Sequence, residues 1–452
     1  MCDISGPRFH GATPDGSVRG PERMEDPGGT RFRLYVQPPF VPGYERPETV
    51  WLKARPGSIV TGPANARLYC LDALDKTAPY EFPYLPPYLG AVAAAAAPSS
   101  DGHFDHLEVG TRAFASAQLF GSVCHTLEVW EGYAGQRIPW HFQQARLEAI
   151  PFVEWDNAQA GYGFLETGYG DAPDGTIWPF ALNLDVVAHE VGHLLLYTLI
   201  GLPDPETVTH EFGAFHESAA DLVALVALLQ FPSVIDRLIA HSRGNLFVDN
   251  ELNRFAALSA SSEIRRVSND LTLADIGADA EIHRLSLVLT GAFFDILVEA
   301  FLLRLQALGV IGADDVAAAR ATTLHGSEPV GLSARLAAAS AARPAIFHRA
   351  LAEARDFLGR RLALAWRLLL PEGLSFDGVA GAFLAADARL SGDDANWPWL
   401  ASSFDWRGIV PRLANDDAGL GSPYPYRRIE GYPEPYEMQH RCALRWRRQR
   451  GR

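Results

Sequence analysis

The sequence predicts an α+β chain of two lobes, an α+β lobe followed by a mainly helical C-terminal lobe, with an irregular N-terminal extension. Three observations predict it. Strand-like patterns fall before residue 183, at 30–36, 138–140 and 147–155. From 183 to about 412 apolar residues recur at helical spacing. The first hundred residues are crowded with Pro and Gly, among them Pro38, Pro39, Pro42, Pro83, Pro86 and Pro87.

Taken in order, residues 1–104 form the extension, and the Gly-, Pro- and charge-rich stretch 1–30 is expected to be disordered. Residues 105–200 form an α+β lobe. It opens on a helical pattern (Phe114, Ala117, Phe120, Val123, Leu127), turns strand-like, and ends in a helix over 182–200. Residues 201–412 carry predicted helices at 214–231, 281–308, 332–341, 345–369 and 376–388, with Pro232 read as a stop. The tail 413–452 is rich in Arg and Tyr. It reads as a segment docking on the acidic body, or as a contact for RNA or an acidic partner.

Composition narrows the function classes. Apolar content of 48% with 21% charged residues is that of a globular protein, and 452 residues are ample for two lobes. A net charge of −15 argues against nonspecific binding of nucleic acid or anionic membrane by the body of the chain. Cys2, Cys70, Cys124 and Cys442 show no paired spacing, so reduced thiols are expected. The long apolar run 285–303 contains Asp295 and Glu299, which makes it a buried helix rather than a membrane span. The start of the chain lacks a basic-then-apolar signal, so a cytoplasmic location is expected, with export by a signal-independent route as the alternative.

The chemistry concentrates in His189-Glu190-Val191-Gly192-His193. A helix advances about 100° per residue, so His189 and His193 share a face and point two imidazoles at one metal ion. Glu190, one step round, reaches a water on that metal without binding it. The pattern alone arises by chance in roughly a few per cent of chains this long, and its bland reading is two surface histidines on an amphipathic helix. This helix is apolar on both sides of the motif (Val186, Val187, Val191, Leu194, Leu195, Leu196), which argues for burial. Asn183 or Asp185 can cap its start, and Gly201 with Pro203 can end it. On the next helical segment Glu217 and Asp221 share a face: Glu217 as third ligand, Asp221 as acceptor for the free N–H of a ligating histidine. Rival third ligands are His216, Asp204 and His210, while a histidine six residues after the motif is excluded because Leu199 stands there.

From Asp185 to His193, and again from Glu211 to Asp221, the sequence resembles the thermolysin-like gluzincin metallopeptidases. The resemblance covers roughly residues 105 to 412. It implies a zincin fold, one catalytic zinc on His189, His193 and Glu217, Glu190 as general base, and a peptide or protein substrate. Residues 159–171 look like the family's edge strand, which implies that Gln159 and Ala160 bind substrate backbone. Arg265, with Arg266 as near rival, matches an Arg that holds a substrate carbonyl. His283 matches the second catalytic histidine, with Asp279 to orient it. The chain departs from the pattern in lacking a match for the transition-state tyrosine: Tyr197 comes too early, and His210 is a stand-in. Most calcium-binding carboxylates are missing, so calcium is not expected. The expectation is a zinc endopeptidase. The alternatives are a zincin-fold binding or regulatory protein without activity, and a zinc hydrolase of a non-peptide amide or ester.

Overall fold

The computed structural model describes residues 28–171, 175–246, 255–259, 262–265, 268–277, 280–325 and 331–413. The expected disorder of 1–30 falls almost wholly outside these residues, and the Arg/Tyr tail lies outside them from 414 on.

The fold is mixed α and β. The extension contributes a hairpin, β1 (Thr30–Leu34) with β2 (Glu48–Leu52), and a short strand β3 (Leu68–Cys70). The long helix α1 (Arg112–Ala134) starts on a Thr111 cap and stops at Gly135, whose φ of 67° is left-handed. Then come β4 (Leu147–Ile150), β5 (Ala158–Gly161), β6 (Phe164–Thr167) and a small hairpin of β7 (Tyr169–Asp171) with β8 (Ile177–Pro179). The main sheet runs β3-β4-β6-β5, so a strand of the extension sits in the same sheet as residues 147–167. β3, β4 and β6 are parallel, and β5 closes the edge antiparallel to β6.

Alternation along the strands gives this sheet two different faces. Leu68, Leu147, Ala149 and Leu165 join the main core beneath the helices. Ile150 and Phe164 point the other way, into a second small core completed by Ala73, Tyr80 and Val153. Among the charged strand residues, Glu148 and Glu166 lie on this second face and are buried. The extension is therefore the cover of the far face of the sheet.

Helices follow: α2 (Leu184–Leu199), α3 (His210–Leu228), α4 (Pro232–Ser242), a strand pair β9 (Phe255–Ser259) and β10 (Ser262–Arg265), then α5 (Leu273–Ile276), α6 (Ile282–Ala307), α7 (Ala313–His325), α8 (Leu332–Ala342), α9 (Pro344–Ala365), α10 (Phe376–Ser391) and α11 (Trp397–Asp405). α6 is long and apolar enough to cross a membrane, yet 89% of its most apolar stretch is buried inside the protein, as a core helix requires. Pro232, read as a stop, is also the first residue of α4, where its missing N–H costs nothing. The strand expected at 138–140 does not form. That segment is held instead by side chains, with Thr198 Oγ1 donating to Pro139 O at 2.9 Å and Arg67 donating to Ile138 O.

Candidate metal centre

Two helices frame the site. α2 begins at Asn183, but its side chain does not cap the helix; Asn183 Oδ1 accepts instead from the Trp178 indole at 2.6 Å. Asp185 Oδ1 accepts from Val186 N at 2.9 Å. α3 begins at a Thr209 cap, four residues earlier than the sequence pattern suggested. The helices approach closely at Gly192, where a Cβ would stand 2.8 Å from Ala220 Cα. Glycine inside the motif thus lets α2 lie against α3, which brings the ligand pair of one helix to the carboxylate of the other.

His189 Nε2 lies 3.6 Å from Glu217 Oε2, and His193 Nε2 lies 4.0 Å from Glu217 Oε1. The three ligand atoms all fall within 4.8 Å of one another, the group among the described residues that could hold a metal ion. Donors about 2.0–2.1 Å from a tetrahedral zinc stand about 3.4 Å apart, so this set fits zinc with small side-chain adjustment. On its other side His189 Nδ1 lies 2.9 Å from Asp221 Oδ1. Asp221 is buried, and as an acceptor beside Nδ1 it favours the tautomer with the proton on Nδ1, which leaves Nε2 on the side of Glu217. Glu190 is buried next to His189 on α2.

The rival ligands are accounted for. His216 is buried among Phe212, Phe215 and Tyr197, and neither ring nitrogen has a hydrogen-bond partner among the described residues. Burial lowers its pKa to about 3, so it is a neutral aromatic wall beside His193, with ring centroids 5.9 Å apart. Asp204 Oδ1 accepts from Glu206 N at 2.9 Å in its own turn. His210 Nε2 contacts Ala280 O and anchors the approach to α6. Tyr197 packs against His141 and His216, at centroid distances of 5.0 and 4.8 Å.

The start of α6 brings in a fourth group. His283 Nε2 lies 3.4 Å from Glu217 Oε2, and its Nδ1 lies 2.6 Å from Glu281 Oε1. The other Glu281 oxygen accepts the N–H groups of His283 (3.0 Å) and Arg284 (3.3 Å), so one carboxylate both caps α6 and orients the ring. Glu281 was not picked out from the sequence, where Asp279 was expected in that role; Asp279 lies outside the described residues. The readable signal was an acidic residue two places before a histidine at a helix start.

No family model matches this sequence, and no curated protein matches it. Among solved structures the chain is similar to the precursor of protealysin, a metalloproteinase from Serratia proteamaculans. The two share 16% identity over 60% of this chain and 84% of that one, with a TM-score of 0.32. A likeness of that size is a loose one of fold alone, and the chemistry rests on the side chains above.

The remaining candidates divide. Among the described residues β5 is the edge strand of its sheet, as expected of residues 159 and 160. It runs alongside α2: Ala158 packs with Val186, and Tyr162, just past its end, lies 5.8 Å from His141, which in turn packs on Tyr197. Ala160 is on the helix side of the strand, against the main core. The Gln159 side chain is on the far side, where both amide protons are engaged, to Tyr80 O (2.9 Å) and Glu166 Oε1 (2.7 Å). The Gln159 amide N–H groups are therefore engaged within the protein. Arg265 closes β10, and its side chain, like Arg266, lies outside the described residues.

Proposed function

We propose that this protein is a zinc-dependent endopeptidase of two-lobed, thermolysin-like design. The observation that carries this reading is the doubly held His189, with Nδ1 on Asp221 at 2.9 Å and Nε2 turned to Glu217 at 3.6 Å. A lone surface histidine has no need of that orientation, whereas a ligand does. His189, His193 and Glu217 would hold the zinc, which supplies Lewis acidity and a water acidified towards a pKa of about 7. Glu190 takes a proton from the attacking water and returns it to the leaving amine, help worth roughly 10²- to 10⁴-fold. His283, its Nδ1 side fixed by Glu281, donates to the oxygen that gains charge during attack. The edge of β5 lays the peptide alongside α2.

The test is metal analysis joined to hydrolysis. Purified protein should hold about one zinc, cleave casein or a quenched peptide, and stop when chelated. Glu190→Ala should keep its zinc and lose activity by about 10² or more; an active Glu190→Ala variant ends this mechanism. Turnover of small acyl esters without proteolysis would point to the non-peptide hydrolase instead.

One observation favours the reading as a binding protein without activity. His283 Nε2 is 3.4 Å from Glu217 Oε2 but outside the group of ligand atoms that lie within 4.8 Å of one another, so it would have to move in to close the shell as a fourth protein ligand. Closed shells belong to structural zinc. His283→Ala separates the two: lost activity at unchanged zinc affinity marks an oxyanion donor, and lost zinc affinity marks a ligand.

A further inference from the structure

The far face of the main sheet is built around groups that the proposed reaction does not use. Glu148 is buried and accepts from Tyr69 Oη (2.6 Å), from Tyr80 Oη and from Tyr88 N (3.2 Å). Glu166, fully buried, accepts from Tyr80 N and Gln159, and Lys76 Nζ stands 3.3 Å from it. Two carboxylates are tolerable there only because this shell surrounds them, so the segment from Lys76 to Tyr88 is fastened to the sheet at both acids. Gln159 adds a third fastening, from the outermost strand to Tyr80 O.

Past Tyr80 the chain turns back on itself, with Tyr84 N donating to Glu81 O at 2.7 Å. This turn holds Phe82 at 50% exposure and Tyr84 at 80%, and Leu89 follows at 91%. Large apolar groups held so far into solvent on one turn mark a contact surface. Its place says what for. Among the described residues β5 is hydrogen-bonded on one side only, to β6. A peptide added to its open side points alternate side chains to opposite faces. One set turns to the α2 side, where Ala158 packs with Val186. The other set turns to the face where Tyr80 is tied to Gln159 and the exposed turn begins.

We propose that residues 80–84 form a second, apolar wall of the substrate groove, so that the substrate is an extended chain with large apolar or aromatic side chains at alternate positions facing away from the metal-binding helix. This deepens the endopeptidase reading and rests on it. Phe82 and Tyr84 set which sequences are taken, not whether a bond is cut.

The test uses the full chain, zinc-loaded, in a Glu190→Gln background that binds without turnover. Nine-residue fluorescent peptides carry Phe or Ser at odd or at even positions, and anisotropy gives Kd. One Phe register should bind about tenfold tighter than its Ser counterpart, the effect of burying roughly one large side chain. Phe82→Ser/Tyr84→Ser should abolish that preference while keeping zinc content, because both side chains stand out in solvent. Equal preference in the double variant overturns the proposal. So does a finding that the exposed turn drives self-association or vesicle binding while peptide affinity ignores it. Register-selective binding by a wild type that hydrolyses nothing would sink the peptidase reading and leave the groove standing.

Discussion

His189 is set from both sides, and that determines how the site responds to change. Its Nε2 is a good metal donor only while Nδ1 keeps the proton, and Asp221 keeps it there at 2.9 Å. Asp221→Asn retains the shape but removes the charge, so zinc Kd should rise about 10- to 100-fold, as read by chelator competition. An unchanged Kd would mean that Asp221 only fills space. Glu281 stands to His283 as Asp221 stands to His189, though the first is at a helix cap and the second in a helix interior. That difference explains what could be read in advance. His189, His193, Glu217 and Asp221 sit at i, i+4 spacings on two regular helices, where sequence distance converts directly to a shared face. Glu281 acts across an irregular start of α6, where spacing carries no such rule, and Asp279 was the plausible but different choice.

Among elements, the α2–α3 contact does most to shape the centre. Gly192→Ala would place a methyl 2.8 Å from Ala220 Cα, a backbone atom that moves only with its helix. The helices must part, costing about 1–3 kcal/mol and widening the gap between His193 and Glu217. Thermal unfolding and zinc affinity should both fall; a Gly192→Ala protein with full zinc affinity would show that the contact is slack. Farther from the site, α6 carries Glu299 beside Arg320 of α7. Burial raises the Glu299 pKa to about 7, against the pull of Arg320. Since the folded value lies above the unfolded one, folding favours the protonated acid. The stabilisation is complete below about pH 4.5 and is lost as pH rises through about 7. Glu299→Gln should therefore flatten the stability curve across that window, and denaturant melts at pH 5 and 7.5 compare the two slopes. Equal slopes in the two proteins would remove Glu299 as the source. The far side of the sheet is the element least readable beforehand. Glu148 and Glu166 are single charges in short strands, and the groups that satisfy them come from a Pro-rich stretch with no periodicity.

The whole molecule is tied together near its C-terminal end by Arg407, which is fully buried. Its guanidinium donates to Asp295 of α6 (2.9 and 2.8 Å), to Asn269 Oδ1 (3.0 Å) and O (2.6 Å), and to Leu271 O (3.0 Å). Gly291 leaves the room: a Cβ there would come within 2.4 Å of the guanidinium. One side chain thus joins the segment after α11 to the approach to α5 and to the helix that carries His283 at its start. Burial lifts the Asp295 pKa to about 6 even with Arg407 beside it, so the carboxylate depends on its partner to remain charged. Arg407→Ala strands a buried acid and should cost about 3–5 kcal/mol. Arg407→Met with Asp295→Leu removes both charges, and should recover much of that loss. The site adds a second readout. If the pair only stabilises, the double variant regains stability and activity together. If it also aims α6, stability returns while turnover stays low, because Asn269 and Leu271 no longer share a donor with the helix. A double variant as unstable as Arg407→Ala alone would show that the hydrogen bonds to the 269–271 backbone, rather than the ion pair, hold this end of the protein.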